Sequence, residues 1–240
     1  RAETIGFRVV LELTDDELDK YQKQREQDHP ELKLPPLEKL IAPPGYLEKA
    51  AVLVEQARTA YTDGKHNVAT EALTEALRRN PGYYLADVGK WPVRNLTGQV
   101  QLTTVGGMWA RQLVSSKSES DQIGEWSRYY NQGHAEGKKK NYHGRIAALL
   151  KALEAGPTED PLGWALNNLA WTLATCPVKQ IRDIEAAIEF SKQACELTDW
   201  HYWAFLGTLA QCYSAAGDFE KAARVAEATL KNLPEKKIEG

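Results

Sequence analysis

GWALNNLAWTLATCP (163–177), DIEAAIEFSKQACELTDW (183–200) and YWAFLGTLAQCYSAAGDFEKAARVAEATLKNLP (202–234) follow one another through the last third of the chain. They read as two helical hairpins in tandem. Leu206, Ala210 and Tyr213 share one face of a helix, Gly217-Asp218 makes a turn, and Ala222, Ala226 and Leu230 are expected to face back across it. Alanine at a helix crossing lets two backbones approach closely, and a glycine after a helix adopts the left-handed conformation that ends it.

Ala210, Tyr213, Gly217-Asp218-Phe219, Ala222 and Pro234 resemble the tetratricopeptide repeat, a helix–turn–helix unit of about 34 residues. Ala187 and Ala222 hold equivalent places in successive second helices, 35 residues apart. Tyr46–Asn80 resembles the same repeat: Leu53, Ala57 and Ala60 line its first helix, Asp63-Gly64-Lys65 turns the chain, and Ala69, Leu73, Ala76 and Leu77 form the return face. A fainter pair lies between. Ile123, Trp126, Tyr130 and Ala135 mark its first helix, and Ile146, Leu149, Leu150 and Leu153 its second. The predicted fold is all-α, a solenoid of tandem helical hairpins.

The remaining sequence divides around these hairpins. Residues 1–13 alternate like a strand, and Ile5-Gly6-Phe7-Arg8-Val9-Val10 is similar to the closing strand of formylglycine-generating, sulfatase-modifying-type domains. Residues 14–45 are a polar connector helix, capped by Thr14-Asp15-Asp16-Glu17, and a linker with Pro35-Pro36 and Pro43-Pro44 that favours extended backbone. The hairpin at 46–82 is followed by an irregular insert, 83–117, where Trp91-Pro92 breaks any helix and VQLTTV is β-branched enough for a strand. The faint hairpin takes 118–157, and two hairpins fill 158–240, opened by Asp160-Pro161.

Composition narrows the function. A formal net charge of −3 gives no pull toward nucleic acid or an anionic membrane, and no apolar run approaches the ~20 residues of a membrane span. No secretory leader is visible, which reads as cytoplasmic, although the chain opens on Arg1 rather than Met and reads as a processed or excised piece. Cys176, Cys195 and Cys212 lie in helical patterns without C-x-x-C spacing, and are expected to be buried thiols rather than metal ligands or a disulfide framework. The five histidines are scattered; His134 and His143 flank Lys138-Lys139-Lys140, expected to be a solvated turn. No hydrolase, metalloprotease or phosphate-loop motif occurs, so no catalytic residue, metal or cofactor is assigned.

In the resembled family, first helices line a concave groove that holds peptides. Carried over by position, the groove takes Trp164, Asn167, Asn168 and Trp171, with Arg58 from the early hairpin and Gln211 from the last. Aromatic rings supply contact area, and amides match the donors and acceptors of an extended backbone. The tryptophans would equally serve to fill the core between hairpins. The family's carboxylate-gripping subclass is not matched, since Val54, Gly207 and Thr208 fall in or near its basic and amide positions and only Asn168 and Arg58 are polar there. The resemblance thus implies a non-catalytic scaffold that binds a protein or peptide, of the kind appended to bacterial signalling kinases or sulfatase-modifying domains. The alternative is the substrate-positioning part of a formylglycine-generating-type enzyme whose catalytic domain lies outside this chain.

Overall fold

Turn residues in the left-handed conformation delimit three of the hairpins. In the computed structural model Gly64 (φ 76°), Lys140 (φ 59°) and Gly217 (φ 82°) each stand between two antiparallel helices. The structure describes residues 34–82, 91–94, 100–103, 117–155 and 163–234, in two units, Arg1–Pro35 and Pro36–Gly240. The strand-like arm, the capped connector helix, the Asp160-Pro161 start and most of the 83–117 insert lie outside the described residues.

In chain order the helices are α1 (Leu37–Leu40), α2 (Tyr46–Thr62), α3 (His66–Arg79), α4 (Lys117–Lys138), α5 (Tyr142–Ala155), α6 (Trp164–Thr175), α7 (Ile184–Glu196), α8 (Trp203–Ala216) and α9 (Phe219–Lys231). The insert contributes β1 (Trp91–Arg94) and β2 (Val100–Thr103), an antiparallel pair in the register Trp91↔Thr103 and Arg94↔Val100. Helices α2–α3, α4–α5, α6–α7 and α8–α9 form hairpins, giving the tandem helical packing the sequence predicts. The long α6–α7 turn is held by a 3₁₀ turn at Lys179–Ile181 and by Arg182 Nε donating to the Cys176 carbonyl at 2.6 Å. Asp183 and Asp218 cap α7 and α9, accepting from the amides of Ala186 and Lys221.

The last three hairpins stack in sequence order, α5 on α6 and α7 on α8, with α6 beside α8. One core runs through them: Trp126, Leu149, Ala152, Ala165, Leu169, Ala170, Ala187 and Cys212. Small residues sit at the crossings. Gly163, at φ 64°, has Phe205 and Ala194 so close that an added Cβ would lie 3.0 Å and 3.2 Å from them. All three cysteines are buried free thiols, as expected.

The first hairpin has its own core, Val54, Ala57, Leu73, Ala76 and Leu77. It meets the stack through helix ends. Trp164, at the start of α6, packs against that core and donates from Nε1 to the Pro81 carbonyl at 3.3 Å. Tyr46 lies edge-on to His201 with ring centroids 4.7 Å apart, and Arg78 forms an ion pair with Asp199. At the far end Asn232 accepts from the Ala42 amide at 2.8 Å and donates to the Leu40 carbonyl at 2.6 Å.

Four details differ from the sequence reading. The proline-rich stretch is not extended throughout: Pro36 precedes a single helical turn, where its missing N–H is not needed, and that turn buries Leu40 completely. In α9 the buried residues are Val225 and Ala228, while Leu230 is 65% exposed. The row 222–226–230 advances 40° per step around a helix of 3.6 residues per turn and so drifts off the packed side. Leu150 is likewise exposed on α5, and Ala135 on α4.

Candidate functional site

Helices α4, α6 and α8 are the first helices of the stacked hairpins, and their common face carries the candidate site. On α6 the amide pair splits. Asn167 turns inward, 8% exposed, its Oδ1 buried without a hydrogen-bond partner. Asn168 turns outward and donates from Nδ2 to the Tyr130 hydroxyl at 2.9 Å, with His134 Nε2 3.5 Å away. Trp164 and Trp171 also differ. Trp164 is half-buried between the two cores, edge-on to Phe205 and Tyr202 at 5.1 and 6.0 Å. Trp171, two turns further along, is 45% exposed. Trp164 thus serves the packing between hairpins, whereas Trp171 stands open to solvent.

Gln211 follows Ala210 on α8 as Trp171 follows Ala170 on the adjacent α6, and it is exposed. Arg58 is exposed on α2 of the first hairpin, ion-paired with Glu55 at 3.7 Å. The geometry thus brings Asn168, Trp171 and Gln211 onto adjoining first helices, and gives Trp164 and Asn167 internal positions.

Tyr130 and His134 join this face although the sequence reading gave them no such role. Trp126, Tyr130 and His134 form a ladder of rings four residues apart on α4. Trp126 stacks on Tyr130 at 4.9 Å, and Tyr130 meets His134 edge-on at 4.7 Å. The four-residue spacing was visible in the sequence; what hid it was the absence of a second histidine or carboxylate three or four residues from His134 to suggest chemistry. Burial, and then the nearby Arg145 and Lys138 charges, hold the His134 imidazole below its ordinary pKa. It therefore stays neutral near pH 7 and can accept a hydrogen bond. Among the described residues there is no group of three or more His, Cys, Asp or Glu placed to hold a metal ion.

Residues 127–158, spanning most of α4 and all of α5, match the family model of the tetratricopeptide repeat. That hairpin is similar to a tetratricopeptide repeat. The match falls on the hairpin whose signature is faintest to the eye, where Lys140 replaces the turn glycine. Such repeats generally mediate protein–protein contacts. Among solved structures, that of the MamA protein is 14% identical, with 80% of this chain and 95% of that chain covered and a TM-score of 0.38. No curated protein matches the chain. No described helix is long and apolar enough to cross a membrane.

Proposed function

We propose that the chain is a binding scaffold that holds an extended peptide or protein segment across α4, α6 and α8, with His134, Asn168, Trp171 and Gln211 as the contacting residues and the buried Tyr130 orienting Asn168. The observation that carries this reading is the exposure of Trp171. An indole left 45% open, beside an amide already oriented by Tyr130, offers apolar area at small ordering cost. His134, Asn168 and Gln211 offer neutral donors and acceptors, which suit recognition of a peptide backbone.

The test is selection from a phage-displayed random peptide library on the wild-type chain, followed by titration of the selected peptides. Trp171→Ala is expected to weaken binding by about 2 kcal/mol, roughly thirtyfold in Kd, with unchanged circular dichroism. Equal affinity for wild type and Trp171→Ala would sink the groove as placed here.

A further inference from the structure

The second helix of each stacked hairpin carries the same row of residues: its first, fifth, eighth and twelfth. In α5 these are Tyr142, Ile146, Leu149 and Leu153, and in α7 Ile184, Ile188, Ser191 and Cys195. Both rows are half-buried to buried because the next hairpin's first helix lies over them. Cys212 of α8, for instance, sits against Ser191 and Cys195 of α7. In α9 the row is Phe219, Ala223, Ala226 and Leu230, wholly apolar and mostly open: Ala226 is half-buried, but Ala223 is exposed, Phe219 is 70% and Leu230 65% exposed. The row points away from the packed side held by Val225 and Ala228.

We infer that this face pairs with the same face of a second copy of the chain, α9 against α9 in antiparallel order. Three observations select that occupant. The covers already present are antiparallel helices, and a two-fold axis across α9 supplies one. The spacing four–three–four is the same read in either direction, so pairing about its midpoint sets Phe219 against the partner's Leu230 and Ala223 against the partner's Ala226. Large residues then meet at the ends and alanines at the crossing, as a self-complementary two-fold contact requires. The charges agree as well, because Lys231 lies on the same flank of the row as Glu220 and falls level with the partner's Glu220. The other outer helix of the stack, α4, shows Glu125, Arg128, Gln132 and Ala135 to solvent, a mostly polar surface that cannot complement the row head-to-tail. One 13-residue helix against another reaches at most the low end of specific interfaces, roughly 1,200 Å², so the dimer is weak and concentration-dependent.

Sedimentation velocity of the 240-residue chain across a concentration series tests this. Wild type is expected to pass from monomer to dimer. Phe219→Glu and Leu230→Lys place charges that suit the first and last turns of α9, so each variant should fold and remain monomeric. Their equimolar mixture should regain a heterodimer, because Glu at 219 then faces Lys at 230 while the other Phe–Leu contact is retained. A wild-type chain monomeric at every concentration would overturn the proposal. So would single variants that dimerise as wild type does, or a mixture that stays monomeric while wild type dimerises; the last would place the contact on another surface.

Discussion

Lys140 stands where the first and last hairpins use glycine, and its backbone has the same positive φ. For a residue with a Cβ that conformation costs about 1–2 kcal/mol. The turn survives because its side chains converge on Glu136, which accepts from Lys139 at 2.8 Å and Asn141 at 2.7 Å. Those two hydrogen bonds hold the Glu136 carboxyl below its ordinary pKa. Lys140→Gly should relieve the left-handed strain, and the extra freedom of glycine in the unfolded chain takes back part of the gain, about 0.4–1 kcal/mol. The expected net effect is stabilisation by about 0.5–1 kcal/mol, read as a Tm rise of roughly 1–4 °C. An unchanged or lower Tm would mean that Lys140 contributes more to the turn than its backbone strain removes.

The helices were legible in the sequence, but which of their sides face the core was less so. Leu73, Ala76 and Leu77 were read on the packed face of α3 and are fully buried or nearly so, because they form one apolar stripe against Val54 and Ala57 of α2. In α9 the apolar residues encircle more of the helix, so a row of every fourth residue, Ala222, Ala226 and Leu230, missed Val225 and Ala228. The site divides in the same way. The periodicity placed Trp164 and Trp171 two turns apart, yet only the arrival of the first hairpin over Trp164 tells them apart, and that contact spans the irregular insert. The cysteines were legible because they sit in helical apolar patterns. Burial raises the Cys195 thiol well above its ordinary pKa and the Cys212 thiol to about 12. Both should resist a thiol reagent such as DTNB until the chain unfolds. A folded pKa above the unfolded one gives stability that is complete below about pH 9 and lost progressively as pH climbs toward 12. Full labelling of the native chain at pH 8 would contradict the packing of α7 on α8.

At the scale of the molecule, the first hairpin is held to the stack by an end-to-end seam rich in titrating groups. Arg78 and Arg79 both donate to Glu75, Arg78 pairs with Asp199, and His201 lies against Tyr46. Burial lowers the His201 pKa below its ordinary value, the Lys39 backbone opposes this, and the Arg78 and Arg79 charges add to the lowering. Burial alone would raise Glu75, but the hydrogen bonds from the two arginines outweigh it and hold its pKa low. Both shifts have the same consequence. A histidine whose folded pKa lies below about 6.5 leaves stability intact above that pH, and weakens it as pH falls through the window beneath, because the undocked state takes up the proton first. A carboxylate with a lowered folded pKa contributes stability above about pH 4.5 and loses it on further acidification. Acid should therefore act in two stages, first loosening the seam through His201 and then weakening α3 itself, whose Glu75 is held by arginines of the same helix. His134 titrates in the same direction within the stack, so the test needs a difference measurement. The fall in Tm between about pH 7 and pH 5 should be smaller in His201→Gln than in wild type, while the further loss below about pH 4.5 remains. Limited proteolysis between the first hairpin and the stack should quicken over the same upper window in wild type only. Identical Tm profiles for the two chains would remove His201 from the response to acid and leave the loss of stability to Glu75 and His134.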